Sequence, residues 1–85
     1  MYDKALKAIY EMDSVVVTEH TANYNRPGST KVIGRVEEYD CTIEIMFEDD
    51  DVISISKANI KEIDIHDSMV IFYFKNGDDL IFESE

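Results

Sequence analysis

Residues 68–84, SMVIFYFKNGDDLIFES, decide the fold class because they read as two apolar strands joined by a tight turn. Asn76-Gly77 between apolar runs is the strongest short-range signal for a β-hairpin, since a type I′ turn requires positive φ at both central residues. The sequence therefore predicts an antiparallel hairpin at the C-terminal end of the chain.

A two-residue loop would pair Tyr73 with Leu80 on one face of this hairpin and Phe72 with Ile81 on the other. Both faces are then apolar, whereas a strand pair at a protein surface alternates apolar and polar residues. We expect a helix to cover one face; the alternative is that this face is an interface. The residues that would mediate self-association are Val70, Phe72, Phe74 and Ile81.

The chain upstream of the hairpin has the two-residue period of strands. We predict a first strand over 14–20, a loop over the polar stretch 21–30, which holds the only proline, and a single helical turn over 57–59. Further strands are predicted over 31–39, 41–48, 52–56 and 60–65.

Residues 2–12, YDKALKAIYEM, have the period of an amphipathic helix instead. Eleven residues are too few for a helix that is stable alone, so its apolar side must pack on the strands. The predicted fold class is α+β, a single domain over 1–85. An N-terminal helix packs on a strongly bent antiparallel sheet, or on a small SH3- or Sm-like barrel, of five to seven strands with a C-terminal hairpin.

The charge balance restricts the function. The 85 residues hold 19 acids and 8 scattered bases, a net charge of −11, so direct binding to nucleic acid or to an anionic membrane is disfavoured. One cysteine forms no internal disulfide, and no stretch of 18 apolar residues occurs. We expect a cytoplasmic protein, in the host cytosol if a phage encodes it.

The acids concentrate in one segment. Residues 36–56 hold eight acids and no base, which predicts an uncompensated negative field that attracts a basic partner. If the second and third strands pair, Glu37 and Glu44 contribute to one carboxylate surface; the alternative is that the acids serve solubility. The predicted partner-binding residues are Glu37, Glu38, Tyr39, Asp40, Glu44, Glu48, Asp49, Asp50 and Asp51.

The spacing over residues 15–65, with Gly34 inside the second strand and a short turn before IKEIDI, resembles the small barrels of the YolD-like family and, more distantly, Sm proteins. The acids at Glu48–Asp51 depart from the RNA-contact motifs of Sm proteins. In composition the chain resembles phage-encoded acidic inhibitors of the anti-CRISPR type, in which carboxylates stand in for phosphates. That resemblance implies a partner with a basic nucleic-acid cleft.

Catalytic patterns are weak. Cys41 directly precedes a strand, so we expect a small core or half-buried residue, and the acids around it oppose a role as a nucleophile. Asp64 and His66 share a strand face, which we interpret as a polar strand end and not as a metal site. The residues 49–51 lack the glycine and the later glutamate of an EF-hand loop. We expect no enzyme activity, no cofactor and no metal.

Two functional hypotheses remain. The first is an acidic, protein-binding inhibitor that imitates nucleic acid and blocks a basic nucleic-acid-handling enzyme. The alternative is an Sm-like structural or regulatory barrel that self-associates through its apolar C-terminal hairpin. The first predicts binding that weakens steeply with salt, and the second predicts a salt-resistant oligomer.

Overall fold

The N-terminal helix α1 (Tyr2–Met12) has the predicted bounds. The computed structural model describes residues 2–21, the backbone of 25–27, and all of 28–85. Ala5, Leu6 and Ile9 lie on the buried side of α1, as the helical period requires. The helix ends where Asp13 adopts a left-handed conformation with φ of 67°, and the carbonyl of Asp13 then accepts a hydrogen bond from the N–H of Ile33 at 2.7 Å.

In the described part of the chain, seven strands follow the helix, and a single turn of 3-10 helix (Lys57–Asn59) lies between the fourth and the fifth. They are β1 (Ser14–His20), β2 (Asn25–Glu38), β3 (Thr42–Phe47), β4 (Val52–Ser56), β5 (Ile60–His66), β6 (Met69–Phe74) and β7 (Asp79–Ser84).

The strands form one antiparallel sheet in the order β4-β3-β2-β1-β7-β6-β5, with β4 and β5 at its edges. The α+β class and the antiparallel sheet are confirmed; of the two predicted arrangements, a bent sheet or a small barrel, the barrel is wrong because the sheet does not close. The 3-10 turn separates the two edge strands. The N–H of Lys75, which directly follows β6, donates to the carbonyl of Asn59, so β5 starts beside β6 and not beside β4.

The bend in the sheet is located at Gly34. β2 pairs with β1 through residues 25–32 and with β3 from Ile33 onwards, and the register with β3 shifts between Ile33 and Arg35. A Cβ on Gly34 would lie 3.1 Å from the carbonyl oxygen of Met46, which is tighter than ordinary contact. A glycine at a bulge permits this close approach, as the sequence predicted.

The predicted loop over 21–30 is wrong for residues 25–30, which belong to β2; residues 22–24 lie outside the described residues. The polar residues of this segment pair with β1, His20 opposite Asn25 and Val17 opposite Ser29. The register of β1 against β2 shifts between Val17 and Glu19, opposite Pro27. Because proline has no N–H, its place at this irregularity costs the ladder no hydrogen bond.

The hairpin β6–β7 forms with a register one residue away from the prediction. Phe72 pairs with Leu80 and not with Ile81, and Tyr73 pairs with Asp79. The N–H of Phe74 donates to Asp78, and φ of Gly77 is 94°, so three residues form a loop with glycine in the left-handed position. A shift of one residue moves side chains to the other face of a strand.

The corrected register decides what the hairpin buries. Val70 and Phe72 are completely buried with Phe82, and the rings of Phe72 and Phe82 meet edge to face with centroids 6.0 Å apart. Val70 and Phe72 therefore belong to the core and offer no surface for self-association. Phe74 packs half-buried against the same core, whereas Ile81 points to the opposite face.

Candidate functional site

The predicted acidic residues lie along the β2–β3 hairpin and the β3–β4 turn, but they do not form one surface. Glu37 and Glu44 are directly opposite each other on the outward face. Glu38 pairs with Ile43, whose side chain is buried, so Glu38 lies on the inward side. Tyr39 and Asp40 occupy one end of the hairpin and residues 48–51 the other, and β3 separates these ends by about 17 Å.

Three basic residues from outside the acidic segment form ion pairs with four of these acids. Lys31 Nζ lies 2.6 Å from Asp49 Oδ2 and 2.5 Å from Asp51 Oδ2. Lys57 Nζ lies 2.7 Å from Glu38 Oε2. On the outward face, Arg35 Nε lies 3.2 Å from an oxygen of its strand neighbour Glu37. The prediction of an uncompensated field over residues 36–56 is wrong for these four carboxylates.

These ion pairs are visible in the pKa values. The hydrogen bond from Lys31 holds the pKa of the Asp49 carboxyl below its ordinary value, and the same pair raises the pKa of Lys31. The hydrogen bond from Lys57 likewise lowers the pKa of Glu38. Within the described residues, the structure gives Asp40, Glu44, Glu48 and Asp50 no such ion pair.

A second acidic surface lies on the outward side of β5, β6 and β7. We call it the Tyr73 face. The register places Glu62, Tyr73 and Asp79 in one row across the three strands, and Asp64, Ile71 and Ile81 in the next row. Met69 pairs with Glu83 in the row beyond, opposite His66. The residues of the Tyr73 face are Glu62, Asp64, His66, Met69, Ile71, Tyr73, Asp79, Ile81 and Glu83.

The charge on this face is one-sided. Of its nine paired positions, four are carboxylates and none is Lys or Arg; Lys61 of β5 has no paired position and lies at the bulge between Ile60 and Glu62. Burial and then the charge and hydrogen bond of Asp64 raise the pKa of the Tyr73 phenol, with smaller contributions from Asp79 and Glu62. The phenol therefore stays neutral at physiological pH and carries its hydroxyl into a cluster of carboxylates.

The Tyr73 face has an apolar centre and an acidic rim. Ile71, Tyr73 and Ile81 are half-buried and contiguous, since Ile71 pairs directly with Ile81. Glu62 and Asp64 flank this centre on β5, and Asp79 flanks it on β7, where His20 Nδ1 lies 4.0 Å from Asp79 Oδ2. An apolar centre with a polar rim is the usual arrangement of a protein-binding surface.

This surface does not appear in the hairpin register that a two-residue loop predicts. With Tyr73 paired to Leu80, Ile71 and Ile81 fall on opposite faces and no acid-rimmed apolar centre appears. The signal that was present is Glu62-x-Asp64-x-His66, which places three titratable side chains on one face of a strand. That Asp64 and His66 share a face is confirmed by their pairing with Ile71 and Met69.

The remaining candidate positions are Cys41 and the possible metal ligands. Cys41 is exposed, not buried or half-buried as predicted, because it lies in the β2–β3 turn. Among the residues that the structure describes, no group of three His, Cys, Asp or Glu side chains is placed to hold a metal ion. No described helix has the length and apolar character needed to cross a membrane.

Comparison of the chain with known proteins finds no match. No family model matches it, and neither the curated proteins nor the solved structures contain a match. The resemblance to YolD-like and Sm-like barrels therefore stays a prediction, and the function has to be argued from the surfaces described above.

Proposed function

We propose that this protein is a non-enzymatic, acidic binding protein that docks on the basic nucleic-acid site of another protein and blocks it. The observation that carries the proposal is the Tyr73 face, where four carboxylates surround an apolar centre and none of the nine paired positions is Lys or Arg. A role as a phage-encoded inhibitor of the anti-CRISPR type would be one form of this activity.

Charge and spacing both suit a site that normally holds phosphates. Glu62 and Asp64 are two residues apart on β5, which separates them by about 7 Å. Asp79 lies two strands away from Glu62, a distance of about 10 Å from the strand spacing. Carboxylates distributed in this way meet the Lys and Arg side chains of a nucleic-acid cleft, and the net charge of −11 accelerates the encounter.

The apolar centre supplies what charge alone does not. Exposed ion pairs contribute little affinity, whereas aromatic side chains near the middle of an interface often dominate it. Tyr73 is such an anchor, because its ring is half-buried and Asp64 is close enough to its hydroxyl to raise the pKa of the phenol. We infer that Tyr73, Ile71 and Ile81 fix the bound geometry and that the surrounding acids select a basic partner.

The alternative, self-association through the C-terminal hairpin, is favoured by one observation. Ile71 and Ile81 form an outward apolar pair, although Val70 and Phe72 are buried. Two copies meeting through the Tyr73 face would bring eight carboxylates together, which opposes this arrangement. The effect of salt on binding separates the two proposed functions, because high salt favours the homodimer and weakens a complex with a basic partner.

The test is a pull-down from a lysate of the organism that encodes the protein, at low and high salt. Support requires a nucleic-acid-handling protein that is captured at low salt and displaced by competing DNA or RNA. The variant with Glu62→Lys and Asp64→Lys should weaken that capture by about tenfold or more, as expected for loss of two interfacial charges.

A matched control carries the same change of charge elsewhere. Glu48→Lys with Asp50→Lys alters two exposed acids in the β3–β4 turn and should leave capture nearly unchanged. Equal loss in both double variants would show that only net charge matters. Loss in the control alone would move the binding surface to the acids predicted from the sequence, and capture of nothing but this chain would favour self-association.

A further inference from the structure

The edge strand β4 is unprotected, in contrast to the other edge. Its sequence, VISIS, has no charged residue and no proline, which are the usual means of preventing edge-to-edge pairing. β5 has Lys61, Glu62, Asp64 and His66 on its seven residues. Val52 is 52% exposed, and Ser54 and Ser56 are exposed as well. In the described part of the chain, no strand pairs with the free edge of β4.

The direction of the β4 backbone groups follows from the β3–β4 ladder. The N–H of Phe47 donates to Asp51 at 2.9 Å, and the N–H of Lys57 donates to Cys41 at 2.9 Å. Bonding pairs alternate along an antiparallel ladder, so the backbone groups of Ile53 and Ile55 point to β3. Those of Val52 and Ser54 point to the free edge.

A groove runs along this free edge, where the sheet does not close. It consists of two adjoining clefts of about 270 and 240 Å³ that share Ile53 as a lining residue. Phe74 and Leu80 form apolar parts of the first cleft, across from Ile53 and Ile55. Five residues of β4 span about 14 Å, enough for a short extended segment to lie beside it.

The charge along the groove indicates what would occupy it. Asp78 and Asp79 line the first cleft, which has no Lys or Arg among its described lining residues. The second cleft contains Asp51 and one base, Lys31, which already contacts Asp49 and Asp51. A second copy of this chain brings a further −11 to the groove, whereas a basic segment is attracted to it.

We propose that the free edge of β4 binds an extended basic segment of a partner protein, which adds to the sheet as an eighth strand. Its backbone pairs with Val52 and Ser54. Lys or Arg at alternate positions lay their apolar stems on Phe74 and Leu80 and place their charges near Asp78 and Asp79. This site centres on β4 and shares only Asp79 with the Tyr73 face, so it goes beyond the proposed function and either proposal can fail alone.

The test uses the full chain and a fluorescent seven-residue peptide that alternates Lys and Val, with fluorescence anisotropy as the readout. The same peptide with Glu in place of Lys should bind at least tenfold more weakly. Two further peptides are N-methylated on alternate residues, one on the residues whose N–H groups face β4 and the other on the residues between them. The first should bind about tenfold more weakly and the second hardly more weakly at all, because only one set of N–H groups faces β4. An equal loss of binding for the two N-methylated peptides would overturn the proposal.

Amide hydrogen exchange locates the peptide independently. Binding should slow exchange at Val52 and Ser54, whereas Ile53 and Ile55 are already protected by β3. Ser54→Pro removes one free N–H without removing a β3–β4 hydrogen bond and should weaken binding by about tenfold, with Ser54→Ala as the matched control. Protection confined to other strands, or a salt-resistant dimer paired through β4, would refute the assignment.

The two proposals are separated by the Tyr73-face variant. Glu62→Lys with Asp64→Lys should keep the difference between the two N-methylated peptides, because neither residue lines the groove. Loss of that difference in this variant would show that the peptide binds the Tyr73 face and not β4.

Discussion

Replacing Phe72 by alanine tests the hairpin register and, with it, the surface assigned to Tyr73. Phe72 is fully buried and packs edge to face on Phe82. Truncating a buried phenylalanine costs about 3–5 kcal/mol in lost transfer energy and cavity formation. A domain of this size has a total stability of about 4–13 kcal/mol, so Phe72→Ala removes a large part of it.

The matched variant is Ile81→Ala on the neighbouring strand. Ile81 lies on the outward side of the hairpin and is half-buried, so its truncation should cost only about 1 kcal/mol. In the register expected from a two-residue loop, Phe72 and Ile81 would face each other and share one environment. The structure places them on opposite faces, and the two substitutions should therefore differ by at least about 2 kcal/mol.

Urea unfolding followed by circular dichroism measures both variants against the parent chain, with the slope of the free energy against urea fitted for each. Similar losses of stability for Phe72→Ala and Ile81→Ala would refute the register. The Tyr73 face would then lose its basis, because Ile71 and Ile81 would no longer lie on the same side of the sheet. A double variant should show nearly additive losses, since the two side chains do not touch across the sheet.

Three further outcomes are expected. Gly77→Ala, at φ of 94°, should lower the free energy of unfolding by about 1–2 kcal/mol, and thermal unfolding measures it. The lowered pKa of Asp49 contributes stability above the ordinary carboxyl pKa that is lost as pH falls through the lowered value. The urea midpoint of the parent chain should fall between about pH 6 and pH 3, and Lys31→Met should reduce this fall. An unchanged fall would exclude the Lys31–Asp49 ion pair as its cause. Ultraviolet titration should place the Tyr73 pKa above its ordinary value, and Asp64→Asn should bring it down; no difference would contradict the role of Asp64.

The local elements were predictable because their signals are local. The bounds of α1, β1, β4 and β7 follow from hydrophobic periods of 3.6 and 2 residues. The bulge at Gly34 was also readable, because a glycine inside a β-branched run marks a bend.

The errors have different causes. Residues 25–30 are polar and look like a loop, yet β1 satisfies their backbone groups. The acids of the β3–β4 turn look unpaired until Lys31, 18 residues before Asp49, is brought to them by the β2–β3 pairing. The register of the C-terminal hairpin failed for another reason: Asn76-Gly77 suits both a two-residue and a three-residue loop.

The position of β7 has a consequence for synthesis of the protein on the ribosome. β7 is the last strand of these 85 residues, yet it lies inside the sheet, between β1 and β6, and pairs Val15 with Ser84. Until residues 79–84 leave the exit tunnel, the strands made earlier form two separate sheets, each with an unpaired edge. A nascent chain stalled before Asp79 should therefore stay sensitive to protease, and release of the final strand should join the two halves in a single late step.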